Sequence, residues 1–114
     1  MGCTNNSISR WESPVCEIAF GDVSTTFIDK IRVTFAQGRD GQGRKKIVLE
    51  KTDKDCKFGE NSVSFSLTQE ETLSLDPNEY LVLQIQIYDK NGTPYLSDEG
   101  LVMVGDVINE GVSW

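Results

Sequence analysis

The chain has 114 residues, of which 38% are hydrophobic and 25% are charged, and its formal net charge is −7. This length is enough for one globular domain with its own hydrophobic core. The negative charge argues against binding to nucleic acid or to an anionic membrane, because both need a basic surface. No apolar run approaches the about 20 residues of a membrane-spanning helix, and none resembles the core of a signal peptide.

Histidine is absent, and the three cysteines, Cys3, Cys16 and Cys56, form no Cys-X-X-Cys pair. Most zinc sites and histidine-based catalytic patterns are therefore excluded. Cys16 is in phase with Ile18 and Phe20, so we expect it to be a buried free thiol. A disulfide between Cys16 and Cys56 stays open as an alternative. We expect reduced thiols, synthesis in a bacterial cytoplasm, and no lipidation at Cys3, which no apolar leader precedes.

The first half of the chain predicts a polar start followed by three strands. Residues 1–10 are polar, and we expect a flexible N-terminal arm there. Strands are predicted over 15–20, 28–37 and 45–52, where apolar residues alternate with polar ones. The glycine-rich segment 38–44 predicts a plain hairpin tip and not a phosphate-binding loop, because no helix follows it.

The middle of the chain predicts a loop, a strand and one short helical turn. Asp53, Asp55 and Glu60 predict a solvated loop, since their spacing does not match a calcium-binding loop. A fourth strand is predicted over 62–67. A capping-box pattern then predicts a single helical turn over 68–73, crossing between sheets.

The most regular alternation in the chain lies in residues 80–88. Every second residue there is aliphatic and points to one side, whereas Gln84 and Gln86 point to the other. We therefore expect Ile85 to be fully buried at the centre of the domain. The glutamine side is expected to face water or another subunit.

The remaining residues predict a hairpin, a final strand and a tail. Asn91-Gly92 predicts a tight type I′ turn into a strand over 93–96. An interruption, either a bulge or a switch between sheets, precedes a strand over 101–104. Together these elements predict an all-β fold, an immunoglobulin-like antiparallel β-sandwich of about seven strands with one short helical turn. The sandwich is expected over 11–105, with a C-terminal tail over 106–114.

The order of four segments resembles a known family: 31–37, the basic-rich 45–51, 63–73 and 83–92. The chain is similar, over residues 8–112, to small immunoglobulin-like β-sandwich proteins from the virion-structure modules of tailed phages and prophages of Gram-positive gut bacteria. Leu96-Ser97-Asp98 matches the family's Ala-Ser-Asp before its last strand. Trp11-Glu12-Ser13-Pro14 stands where the family has a Gly-Thr-Thr-Pro-like start.

The resemblance implies a virion protein without enzymatic activity, which docks on other virion subunits at the head, connector or tail. Its expected partners are other virion proteins and, as a homo-oligomer, itself; nucleic acid and membranes are not expected. We expect no catalytic, cofactor-binding or metal-binding residue. Trp11 and Trp114 are the candidate partner-binding residues, since docking is expected at strand edges and termini. The alternative function is an immunoglobulin-like adhesion or glycan-binding module.

Overall fold

The computed structural model describes residues 7–112, which form nine strands, one short α-helix and two 3-10 turns. The first five strands are β1 (Ser7–Ser9), β2 (Val15–Ala19), β3 (Ile28–Arg39), β4 (Lys45–Thr52) and β5 (Cys56–Phe58). The last four are β6 (Ser62–Ser66), β7 (Tyr80–Asp89), β8 (Pro94–Leu96) and β9 (Gly100–Gly105). Helix α1 spans Gln69–Leu73, and the 3-10 turns span Thr25–Phe27 and Asp53–Asp55.

The strands form two sheets that pack as a sandwich. The larger sheet has the order β1-β9-β7-β3-β4, with β8 also paired to β7, and the smaller sheet has the order β2-β6-β5. Every pairing is antiparallel except that of β1 with β9, which is parallel. The predicted all-β, immunoglobulin-like sandwich is confirmed. Two strands, β1 and β5, were not predicted, because each has only three residues and too little alternation to be recognised.

The core lies between the two sheets and is built from the alternating positions of their strands. Val33 and Phe35 of β3 and Val63 and Phe65 of β6 are all buried. The rings of Phe35 and Phe65 meet edge to face with their centroids 5.8 Å apart. This contact joins the larger sheet to the smaller one, and aromatic pairs of this geometry are favourable beyond their area burial.

Helix α1 forms where the capping box predicted it. The Thr68 hydroxyl accepts a hydrogen bond from the Glu71 amide, and the Glu71 carboxylate accepts one from the Thr68 amide. Two amides at the start of the helix are thereby satisfied. The Glu71 carboxylate also accepts from the ammonium of Lys51, at 2.9 and 3.1 Å, which ties the helix to β4. The helix is one turn long, so its stability comes from these contacts and not from its own propensity.

The expectation that Ile85 is fully buried is wrong. Ile85 is half-buried at the margin of the core, whereas its β3 partner Val33 is completely covered. The reason lies on the other side of β7, where neither β8 nor β9 has a residue paired with Ile85. The interruption between these strands places Ser97 there instead, and its hydroxyl accepts from the Ile85 amide. Because β8 and β9 both pair with β7, the interruption is not a switch between sheets.

The hairpin at Asn91-Gly92 exists, but the predicted type I′ turn is wrong. A type I′ turn needs positive φ at both central residues, whereas here only Gly92 is positive, at 80°. The loop has three residues between Asp89 and Thr93, whose backbones are hydrogen-bonded. The Asp89 carboxylate accepts from the amides of Asn91 and Thr93. This side chain stabilises the longer loop, which the Asn-Gly pair alone does not specify.

A β-bulge in β4 changes the direction of its side chains. Ile47 is paired with Ala36 and Leu49 with Phe35, so one extra residue, Val48, is inserted on β4. Val48 and Leu49 consequently both pack against the core, and Ile47 is 60% exposed. The alternation in the sequence had placed Ile47 and Leu49 on the same face.

The described part of the N-terminal arm is ordered. Ser7, Ile8 and Ser9 pair with Met103, Val104 and Gly105 of β9, and the side chain of Ile8 is buried in the core. The expected flexible arm over 1–10 is therefore wrong for residues 7–10. Its residues 1–6 lie outside the described part of the chain.

The cysteines also differ from expectation. Cys16 is buried as predicted, but it is disulfide-bonded and is not a free thiol. Cys56 is a free, half-buried thiol, so the alternative of a bond between Cys16 and Cys56 is excluded. Burial, followed by the nearby carboxylates of Asp55 and Asp53, raises the pKa of Cys56.

Within residues 7–112, no helix has the length and apolar character needed to cross a membrane.

Candidate interaction surfaces

The larger sheet has one face that is not covered by the smaller sheet, and we call it the outer face. The strand register arranges its side chains in rows across the sheet. One row is apolar and contains Ile47, Ala36, Val82 and Leu101. The next row is polar and contains Glu50, Thr34 and Gln84; a third contains Thr52, Arg32, Gln86 and Leu96; a fourth contains Lys30, Tyr88 and Pro94.

Hydrogen bonds hold the polar centre of the outer face. The Arg32 guanidinium donates from Nε to the Gln86 side-chain oxygen at 2.8 Å. The side-chain N–H of Gln84 donates to the carbonyl of Ser97 at 3.3 Å. The first contact joins β3 to β7, and the second joins β7 to the segment between β8 and β9, so these long side chains are partly oriented before any ligand binds.

Two adjoining clefts run along the outer face, with volumes of about 320 and 640 Å³. Arg32, Glu50 and Gln86 line both of them, so the two form one continuous trough. An ion pair between Lys45 and Glu99 lines the smaller cleft and links β4 to the segment between β8 and β9. We call the joined clefts the outer-face trough.

The far edge of β4 is a second candidate surface. Among residues 7–112, no strand pairs with β4 on the side away from β3. The edge is eight residues long, and its first half carries exposed Lys45, Lys46 and Ile47. An open edge of this length presents unpaired backbone amides and carbonyls to another chain. The bulge at Val48 and the two lysines are features that limit indiscriminate pairing of such edges.

Residues 10–11 meet residues 106–111 in a cluster that we call the terminal clasp. Its centre is Arg10, whose guanidinium is 11% exposed and pairs with Asp106 at 2.6 Å and with Glu110 at 2.9 Å. The same group donates to the carbonyl of Leu73, the last residue of α1. The hydrogen bond from Arg10, followed by the amide of Val107, lowers the pKa of Asp106. The first part of the expected tail is thus held on the domain.

Trp11 belongs to the terminal clasp. Its indole N–H donates to the carbonyl of Gly111 at 2.7 Å, and its side chain is half-buried. Its backbone φ is 81°, an uncommon value for a bulky residue, and one that surrounding contacts must enforce. The second candidate anchor, Trp114, lies outside the described residues. The structure therefore places Trp11 in contact with the chain's own tail, and the proposal that both tryptophans bind a partner stays a prediction.

Part of the outer-face trough could be predicted from the sequence. The alternation over 80–88 placed Gln84 and Gln86 on the face away from the core, and this is confirmed, since both side chains line the outer-face trough. Gln86 is exposed and Gln84 is half-buried. The sequence did not indicate that Arg32, Glu50 and Leu96 would become their neighbours, because cross-strand pairs depend on strand order and register. Within the described residues, no group of three or more acidic or cysteine side chains is placed to hold a metal ion.

No protein-family model matches the chain, and no curated protein is similar to it. Among solved structures, the fold is similar to the crystal structure of CopC from Methylosinus trichosporium OB3b. The TM-score is 0.51 at 14% sequence identity, and the match covers 90% of this chain and 87% of that one. Because the sequence identity is this low, the likeness shows the fold alone, and it supports the β-sandwich architecture of this chain.

Proposed function

We propose that this protein is a non-enzymatic structural or assembly protein of a tailed-phage virion, and that it docks on other virion subunits. The sequence resemblance described above supports the virion context. The structural observation that carries the docking proposal is the open edge of β4. A partner strand added there would gain backbone hydrogen bonds without needing special side chains. Further copies of the same chain are additional candidate partners.

The first experiment tests the virion context. Phage particles are purified from a host strain that carries this gene, and their proteins are identified by mass spectrometry. We expect the protein in purified particles at a constant ratio to the major structural proteins. If it is absent from particles while it is present in the lysate, the virion proposal fails, and the adhesion or glycan-binding alternative is favoured.

The second experiment tests the docking edge. Ile47→Asp places a charge on β4, whereas Val15→Asp places one on β2, an edge strand of the smaller sheet. The two residues are 60% and 58% exposed, so both variants should fold equally well. We expect Ile47→Asp to reduce incorporation into particles and Val15→Asp to leave it unchanged. Equal incorporation of both variants would contradict docking at β4.

A further inference from the structure

We propose that the outer-face trough is a binding site for an uncharged oligosaccharide. Nothing in this inference depends on whether the protein resides in a virion, since it rests on the side chains of the larger sheet alone. Four properties of the trough carry it: its shape, its charge balance, its hydrogen-bonding groups, and its exposed aromatic and apolar side chains.

The trough is long and open, which suits a chain-like ligand. It follows β7 from Val82 to Tyr88, a distance of about 20 Å at the rise of an extended strand. Its larger cleft alone has a volume of about 640 Å³, within the range of pockets that hold small organic ligands.

The charge balance of the trough argues for a neutral ligand. Three basic and three acidic side chains line it, namely Lys30, Arg32, Lys45, Glu50, Asp53 and Glu99. The lining therefore has no net formal charge, and the protein as a whole carries −7. A nucleic acid or an acidic polysaccharide would meet no basic excess. A protein partner is also disfavoured, because the buried centres of protein interfaces are depleted of charged residues.

The hydrogen-bonding groups of the trough match a row of hydroxyls. A hydroxyl both donates and accepts, so neighbouring hydroxyls are best met by planar groups that have two polar atoms. Arg32 retains its two terminal nitrogens after its Nε has bonded to Gln86, and no contact within residues 7–112 occupies the Gln86 side-chain nitrogen. The carboxylate of Glu50 lines both clefts beside these two groups.

The exposed aromatic and apolar groups complete the argument. Tyr88 lies in the fourth row of the outer face, lines the larger cleft and is 52% exposed, and Pro94 and Leu96 lie beside it. Tyr95 is paired with Ile87, so its side chain lies on the opposite side of the sheet, where its ring meets that of Phe27 edge to face. A sugar ring has an apolar face of C–H groups, and a tyrosine ring can cover that face while its hydroxyl stays in water. Polar side chains in the centre, with Tyr88, Pro94 and Leu96 at one end, form the mixture that such a ligand needs.

The test uses the full-length protein in affinity electrophoresis and calorimetry. The probes are the neutral polysaccharides galactomannan, xyloglucan, arabinoxylan and dextran, oligomers of N-acetylglucosamine, and polygalacturonate as an acidic comparison. We expect retardation by at least one neutral probe and none by polygalacturonate. Binding to that neutral probe should persist in 0.5 M salt, because no net charge is involved.

Matched variants locate the site. Tyr80 and Tyr88 are both exposed tyrosines on β7, but only Tyr88 lines the trough. Tyr88→Ala should weaken binding about tenfold, and Tyr80→Ala should leave it unchanged. Gln86→Ala should weaken binding, whereas Gln42→Ala at the β3–β4 hairpin tip should not. Thermal melting checks that all four variants fold.

Three results would overturn the proposal. The first is that none of the neutral probes binds. The second is that Tyr88→Ala and Gln86→Ala bind as well as the wild type, which would place the sugar elsewhere. The third is preferential binding to polygalacturonate that salt abolishes.

Discussion

Gln37, near the end of β3, connects this strand to the turn that precedes β7, and its substitution is the sharpest test of that connection. Its side chain is 4% exposed and forms two hydrogen bonds with the backbone of Asp76, in the turn before β7. The side-chain nitrogen donates to the Asp76 carbonyl, and the side-chain oxygen accepts from the Asp76 amide, each at 2.8 Å. The amide group of Gln37 thus takes the place of a strand residue in pairing this turn with the sheet.

The variant Gln37→Ala removes both bonds and leaves a partly buried amide and carbonyl without partners. Each lost bond costs about 1 kcal/mol, and each unpaired group adds to that cost, so we expect a loss of about 2–4 kcal/mol. Urea unfolding measures the loss, and Tm should fall by roughly 10 °C or more. The control is Gln84→Ala, since Gln84 has one longer bond at 3.3 Å on the outer face. Its loss should be below about 1 kcal/mol.

A second variant, Gln37→Glu, adds a dependence on pH. At pH 7 the new carboxylate can still accept from the Asp76 amide, but it repels the Asp76 carbonyl. Burial and this repulsion raise its pKa in the folded state above its ordinary value of about 4.3. The penalty is therefore absent below the unfolded pKa and grows as pH rises through the folded pKa. The reasoning would be refuted if Gln37→Ala and Gln84→Ala lost the same free energy of unfolding. It would also be refuted if the destabilisation by Gln37→Glu did not change with pH.

Three further predictions concern charge and burial. Glu71→Gln leaves the Lys51 ammonium, 11% exposed, without its carboxylate, and should cost about 1–3 kcal/mol in urea unfolding. Burial by itself would raise the pKa of Glu71, but the Thr68 amide and the Lys51 ammonium lower it overall. The Glu71–Lys51 pair therefore contributes stability above the ordinary carboxyl pKa, and this stability is lost as pH falls through the lowered pKa of Glu71. The variant Glu71→Gln should not show this loss. Arg10→Ala should release residues 106–112, lower Tm, and speed cleavage of the tail in limited proteolysis; an unchanged cleavage rate would contradict the terminal clasp. Ile85→Asp should cost about 2–4 kcal/mol and Gln84→Asp below about 1 kcal/mol, so equal melting temperatures would contradict their assignment to opposite faces.

The position of Trp11 affects the interpretation of any truncation. Removal of residues 106–114 would delete the carboxylates of Asp106 and Glu110 together with the carbonyl that accepts from Trp11. Such a variant is therefore expected to lose stability as well as any contact with a partner. Single substitutions on β4 separate these two effects, because they leave the terminal clasp intact.

Much of the fold follows from local patterns in the sequence. Alternation of apolar and polar residues, together with the turn signal at Asn91-Gly92, predicted seven of the nine strands of residues 7–112, because a strand with one buried face must repeat every two residues. The Thr68 and Glu71 pair predicted α1, because a capping box is a contact between residues close in sequence. These features depend on neighbours within about four positions.

The tertiary structure determined the strand pairings and side-chain neighbours that local sequence patterns do not predict. The strand β1 exists because β9 offers it a parallel partner almost a hundred residues away. The exposure of Ile47 depends on a bulge that appears only when β4 is aligned with β3. The outer-face trough likewise brings Arg32, Gln86 and Leu96 into one row through the register of three strands. The sequence by itself determined which residues prefer a buried face; the pairing of distant strands determined which side chains became neighbours, because register is set by the whole sheet and not by any one strand.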